Sequence, residues 1–199
     1  RARPEGSAAG GDSSWLPSDT VKLARLLYLQ TAEFGRDSSR PRKEEVVDVA
    51  PLVLAPGIRP DGPDAIRWLI DLEDPATVLV DGYNAQFHIN SDDFTSGSAR
   101  RYLVDALKRL RMAGTVKHRV VVVFDSTMPG ERTARTSLGG VEVRFAEDDR
   151  IADEEIVEMA ASLDRAVVIS SDRAVREGAE ESGAVVLWSE ALSQWLERF

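Results

Sequence analysis

The sequence predicts an α/β protein built on a central, mainly parallel sheet of five strands, preceded by a helical N-terminal extension. Three observations predict it. From residue 77 onward, short runs of valine, isoleucine and leucine alternate with segments of helical period, as in a parallel sheet covered by helices. Aspartates stand where several of those runs end. At 199 residues and 43% hydrophobic content, the chain holds one full domain with a conventional core plus an extension.

The first fourteen residues are small and polar and read as a flexible tail. Ser18 or Asp19 then caps a helix whose positions Val21, Leu23, Leu26, Leu27 and Leu29 form a broad apolar face up to about Phe34. A polar, basic stretch over 36–43 ends that pattern, and prolines 51, 56, 60 and 63 punctuate the next segment. The domain boundary is expected near residue 50, separating a tail and helical extension (1–49) from the main domain (50–199).

Pro63 is well placed in the first turn of a short helix carrying Ile66, Trp68, Leu69 and Ile70. Strands are predicted over 77–81, 118–125, 141–146, 165–170 and 184–188. The helix over 98–112 buries Leu103, Ala106, Leu107 and Leu110 at the spacing of a single face. Later helices are expected over 152–163, 173–182 and 189–198. The connection over 126–140 has no helical period and is just long enough for a parallel crossover.

Composition excludes several classes of function. Zero cysteines rule out disulfides, thiolate zinc sites and thiol catalysis. No apolar run approaches the roughly 20 residues that span a bilayer, and the first residues lack the apolar core of a signal peptide. A cytoplasmic location without membrane association is the expectation. A formal net charge of −9 argues against indiscriminate coating of nucleic acid, although not against a nuclease, because acids in a metal site count toward the total.

The chemistry lies in four acids. Asp81 ends the first strand, Asp125 the second and Asp172 the fourth, while Asp153 follows the third by eight residues from Phe145. The carboxyl ends of parallel strands line the ligand crevice, so acids distant in the chain can converge there. Converging carboxylates repel unless a proton or a cation compensates, which points to a metal-dependent enzyme. Each position also has a structural reading. Asp81-Gly82-Tyr83-Asn84 forms an ordinary strand-to-loop turn, Asp125 opens a turn, and Asp153 and Asp172 favour helix starts. The acidic run Glu147-Asp148-Asp149 and the neighbouring Glu154 are alternative ligand sources. Ligation by oxygen alone favours Mg2+ or Mn2+ over zinc or copper.

Between about Thr77 and Leu192 the chain resembles the NYN domain nucleases of the PIN-like superfamily, and within them the YacP-like branch. The resemblance is carried by Val80-Asp81-Gly82-Tyr83-Asn84, Val123-Phe124-Asp125, Ala152-Asp153, and Ser170-Ser171-Asp172 followed by Ala184-Val185-Val186. It implies a three-layer α/β/α PIN-like fold, with Asp81, Asp125, Asp153 and Asp172 as the acidic site of a ribonuclease. Asn84, either orienting Asp81 or binding a phosphate, Tyr83, either a stacking platform for an unpaired base or a core residue, and Ser171 are the candidate substrate contacts around it.

RNA, expected to be single-stranded, needs a cationic approach. Arg132 and Arg135 lie in the loop that leaves Asp125 and are candidates for bidentate phosphate contacts, with Arg100 and Arg101 behind them. Lys108 and Arg111 read as a solvated helix face. His88 and His118 have no partner histidine at ligand spacing and read as structural or surface residues, with His88 a minor candidate for substrate contact.

The expected reaction is endonucleolytic hydrolysis by a metal-activated water, leaving a 5′-phosphate and a 3′-hydroxyl. The rival reading is an RNA-binding or ribosome-associated adaptor of the same fold with little or no turnover. A haloacid dehalogenase-type phosphatase wants aspartate where Tyr83 stands, and no glycine-rich dinucleotide or P-loop fingerprint follows the first strand.

Overall fold

Runs of β-branched side chains lose rotamer freedom in a helix and pack well on a pleated surface. In the computed structural model they form β1 (Thr77–Asp81), β2 (Arg119–Phe124), β4 (Val141–Phe145), β5 (Ala166–Ile169) and β6 (Val185–Leu187), joined by a short β3 (Thr136–Leu138). The structure describes residues 51–90, 97–125, 136–146 and 152–198, all within the unit Asp48–Phe199. The extension expected over 1–49, Arg132, Arg135 and the run Glu147-Asp148-Asp149 lie outside the described residues.

The sheet has the order β3-β4-β2-β1-β5-β6. All pairings are parallel except that of β3 with β4. The register sets Asp81 opposite Val123 of β2, and Val80 opposite Ile169 of β5. Each of the five parallel strands therefore delivers its last residue to the same end of the sheet.

Side chains alternate between the two faces of a strand, and both faces here are covered. Val78, Val80, Val120, Val122, Val167 and Ile169 face one core with α1 (Pro63–Ile70), α2 (Gly82–Ile89), α3 (Gly97–Ala113) and α6 (Ser189–Leu196). Leu79, Val121, Val123 and Val168 face the other, with α4 (Ala152–Ala161) and α5 (Arg173–Glu181). The result is the expected three-layer arrangement. In α3, Leu103, Leu107 and Leu110 are buried as their spacing predicts. His118, at the entry to β2, is structural: it is buried, its Nδ1 accepts from Ala76 N at 3.2 Å, and burial lowers its pKa.

Two elements differ from expectation. The crossover between β2 and β4 contains a sixth strand, β3, at the sheet edge, with Leu138 opposite Val141. The two-residue link Gly139-Gly140 has φ of 61° and 84°, the conformation that a tight hairpin between twisted strands requires and glycine supplies. Three residues with one apolar side chain are too short for the strand pattern to register. The second difference is α2. The expected loop after Asp81 is instead a helix, although Gly-Tyr-Asn-Ala-Gln-Phe-His-Ile is neither strongly amphipathic nor rich in helix formers. Its stability comes from the cap at Asp81 and from packing against α6 and α3.

Gly82 is required by packing. It needs no unusual backbone freedom, since its φ is not among the positive ones; it needs the absence of a side chain. A Cβ there would stand 2.3 Å from Cδ1 of the fully buried Phe124. That ring has little room to retreat, because Tyr83 packs edge-on at 5.4 Å and Phe145 stacks at 5.8 Å. Gly82→Ala is thus expected to destabilise the domain by about 1–3 kcal/mol through overpacking, despite the better helix propensity of alanine. Urea denaturation of the variant beside the parent measures this, and an unchanged or higher midpoint would remove Phe124 as the constraint.

Candidate active site

The chain runs from β1 outward through β2 to β4, then returns to β5 on the other side of β1. Strand order reverses between β1 and β5, and in open parallel sheets the crevice lies at that reversal, outside the carboxyl ends. Asp81 closes β1 at this point and the segment Ser170-Ser171-Asp172 leaves β5 beside it.

Asp81 is 6% exposed. Its Oδ1 accepts from the backbone N–H of Asn84 at 3.1 Å, which caps α2, and its Oδ2 accepts from Ser170 Oγ at 2.9 Å. Burial pushes this carboxyl from 3.8 up to about 6, with the charges of Asp153 and Asp125 adding to the rise and the two hydrogen bonds opposing it. Ser170 is itself fully buried, and its Oγ also accepts from Asp172 N at 3.1 Å. One hydroxyl thereby links the first acid to the fourth.

Asp172 caps α5, its Oδ1 accepting from Ala174 N at 2.7 Å and Val175 N at 3.2 Å. Asp125 Oδ1 accepts from Ala152 N at 2.7 Å, so the second acid holds the start of the helix that carries the third. Asp153 stands in the first turn of α4, where burial raises its pKa and the charges of Asp172, Asp125 and Glu154 raise it further. All four acids are therefore brought to one end of the sheet, where the charges of Asp153 and Asp125 act on Asp81, and those of Asp172 and Asp125 on Asp153. They do not form a ready-made cage: among the described residues, no group of three or more acidic or histidine side chains is placed to hold a metal ion.

A polar network flanks the acids. Asn84 Oδ1 accepts from Ser171 N at 2.8 Å and from Ser189 Oγ at 2.7 Å, so its side chain holds the β5–α5 loop rather than orienting Asp81. Ser171 Oγ accepts from Ser189 N at 2.9 Å and donates to Glu190 Oε2. Sequence reasoning passed over Ser189 and Glu190, whose only local signal is a polar start to α6. Tyr83 is half-buried against Phe124, and its hydroxyl accepts from Arg100 Nη2 at 3.5 Å. The Arg100 guanidinium lies 5.0 Å from the Phe124 ring centroid and 4.9 Å from that of Phe145, at the ends of β2 and β4. Arg101 is exposed on α3. Lys108 pairs with Asp105 at 2.8 Å, whereas Arg111 is no simple solvated residue: its Nε donates to His118 O at 3.1 Å, tying α3 to β2.

A mainly parallel sheet that presents four acids at the carboxyl ends of its strands defines a PIN-like, nuclease-type fold. The chain belongs to the YacP-like NYN domain family, whose model matches residues 78–199. The crystal structure of Rae1 (YacP) from Bacillus subtilis matches at 26% identity with a TM-score of 0.51, over 61% of this chain and 74% of that one. A tryptophan-to-leucine mutant of the same protein matches at 25% identity and a TM-score of 0.48, over 62% and 76% of the respective chains. No curated protein sequence matches at a significant level. Among the described residues no helix is long and apolar enough to cross a membrane.

A raised pKa in an acid means that ionisation opposes folding. For Asp81 this penalty, about 3 kcal/mol, is fully present above about pH 6 and disappears as pH falls toward 3.8. Asp81→Asn, which removes the charge at nearly constant shape, is therefore expected to melt several degrees above the parent at pH 7.5 in EDTA, with the gap closing between pH 6 and pH 4. Thermal melts across that range check it, and a gap independent of pH would remove the electrostatic cause.

Proposed function

We propose that this chain is a divalent-metal-dependent endoribonuclease acting on single-stranded RNA at the carboxyl ends of β1, β2 and β5. The observation that carries the reading is Asp81, a carboxylate buried at the strand reversal whose ionisation is opposed both by burial and by the charges of Asp153 and Asp125. A fold that keeps such acids together at a cost in stability is suited to a cation that offsets the cost. Membership of the YacP-like NYN domain family supports the same reading.

The donor set fits Mg2+ or Mn2+, because it consists of carboxylate oxygens. Magnesium retains several waters and needs only one or two carboxylates, so a preformed cage is not required. Asp81 and Asp172 would hold the ion, with Asp125 and Asp153 anchoring its waters. When bound, the ion supplies a water of lowered pKa and offsets charge on the phosphoryl oxygens.

The chain's own residues arrange the rest. Ser170 fixes the second oxygen of Asp81, and Asp125 fixes the helix start that aims Asp153. Asn84 holds the loop that bears Asp172. Arg100, at the ends of β2 and β4, offers positive charge to the RNA backbone. Attack of water on phosphorus leaves a 3′-hydroxyl and a 5′-phosphate.

A second reading, an RNA-binding adaptor with little turnover, draws on the absence of a three-ligand group among the described residues. Cleavage of a labelled single-stranded RNA by the purified chain separates the two. EDTA is expected to stop cleavage and Mg2+ or Mn2+ to restore it, whereas Ca2+, with its longer and looser coordination, supports binding without comparable turnover. Asp81→Asn and Asp172→Asn are each expected to lower kcat by about a hundredfold or more while keeping the fold. Undiminished cleavage in excess chelator or by Asp81→Asn would overturn the proposal, and binding without cleavage under any metal would select the adaptor.

A further inference from the structure

Arg176 stands on α5 one turn after Asp172, whose carbonyl oxygen accepts its backbone N–H at 3.1 Å. Its guanidinium carbon lies over the indole of Trp188, 4.3 Å from the ring centroid. Long helical side chains lean back toward the N-terminus, so this one covers the turn that Asp172 opens. Trp188 fixes the same place independently. It is the first residue after β6, a strand parallel to β5 with Leu187 opposite Ile169, and the residue after it, Ser189, donates its N–H to Ser171 Oγ at 2.9 Å. Ring and guanidinium therefore stand at the carboxyl end of the sheet, beside the loop that bears Asp172.

Other arginines of the domain have anions of their own: Arg173 pairs with Glu177 at 2.7 Å and Arg144 with Glu142 at 2.6 Å. Arg176 does not. Among the described residues no carboxylate lies within ion-pair distance of it, and its enclosed Nε has no hydrogen-bond partner, in a chain with 34 acidic residues against 25 basic ones. Stacking on an aromatic face fixes a guanidinium while leaving its Nη donors unused. We infer that Arg176, seated on Trp188, forms a phosphate subsite for RNA on the β6 side of the acidic cluster. The inference rests on the endoribonuclease reading above. β6 lies two strands from β1, about 10 Å at the usual spacing, so the phosphate bound here is not the one cleaved at Asp81 but another of the same strand. Arg176 contacts it, and Trp188 is the positioning residue. Arg100 stands at the ends of β2 and β4, so RNA crossing the sheet end meets an arginine on either side of the acids.

Binding of a short fluorescent single-stranded RNA to the full chain, carrying Asp81→Asn so that the RNA survives, tests the subsite across a range of salt concentrations. Arg176→Gln is expected to weaken binding about tenfold and to flatten the slope of log affinity against log salt by about 0.7, the share of one phosphate contact on a single strand. Arg176→Lys keeps the charge and is expected to keep most of the slope. Trp188→Leu is expected to keep the slope as well but to lose affinity, because the charge remains while its fixed position does not. The Arg176 side chain makes no ion pair or hydrogen bond among the described residues, so its variants are expected to melt within a few degrees of the parent. RNA in which one phosphate at a time is replaced by an uncharged methylphosphonate is expected to show one register, away from the cleaved linkage, that weakens binding to the parent and leaves Arg176→Gln unaffected. In the active chain with Mg2+, Arg176→Gln is expected to raise KM with kcat within about twofold of the parent, as loss of uniform binding requires. Equal affinity in Arg176→Gln, or weaker binding with the parent's salt slope and no such register, overturns the subsite alone. A parent that neither binds nor cleaves single-stranded RNA overturns the endoribonuclease reading and the subsite with it.

Discussion

Asp81 ends the central strand with its carboxylate buried, one oxygen held by α2 and the other by the segment leaving β5. Both neighbours of β1 in the sheet, β2 and β5, then supply further acids or their supports. Much of the site follows from keeping that carboxylate in place. The chain must turn into α2 at once to cap it, Gly82 must lack a side chain so that α2 can start against Phe124, and Ser170 must be buried to reach it. Removing water from a charged group is costly unless polar partners or a cation substitute, and here the protein supplies two hydrogen bonds to Asp81 against burial and the charges of Asp153 and Asp125.

The site is positioned by a frame that is itself apolar and regular. Strands buried on both faces place Val78 and Val80 toward one layer of helices and Leu79 toward the other. Parallel register then delivers Asp81 beside Val123 and two residues short of Asp125, so the spacing of acids from different strands is inherited from the ladder of backbone hydrogen bonds. The helices are tied to the same edge: α2 and α5 by caps from Asp81 and Asp172, α4 by the carboxylate of Asp125. Helix capping and an active-site role appear in the sequence as competing readings of these aspartates. In the structure the cap is how the carboxylate is aimed. One oxygen of Asp172 takes the backbone donors of α5, which restricts where the other can point.

The polar network of Asn84, Ser171, Ser189 and Glu190 adds a second level of control. Its hydrogen bonds link α2, the β5–α5 loop and α6, elements separated by up to 105 residues. Partly buried networks of this kind rigidify a site when every member has a partner. Asn84 illustrates the gain in detail. Its backbone donates to Asp81 while its side-chain oxygen accepts from two serines, so a single residue sets both the first acid and the loop of the fourth.

Local pattern was sufficient for the five parallel strands, for α3 to α6, for the short helix opened by Pro63, and for the placing of the four aspartates at one end of the sheet. Hydrophobic period and strand ends are written in adjacent residues, and parallel topology forces those ends to one edge. The resemblance to NYN nucleases, legible in motifs such as Val80 to Asn84, agrees with the matched segment over 78–199. Tertiary structure alone decided that the residues after Asp81 are helical, since their propensity is weak and their stability comes from α6 and α3. It alone supplied the reason for Gly82, because the ring that forbids a Cβ there belongs to Phe124, 42 residues later. It alone recruited Ser170, Ser189 and Glu190, whose partners lie on other elements. Sequence specifies what each segment prefers on its own; which side chains become partners depends on distances that exist only once the sheet has closed its register.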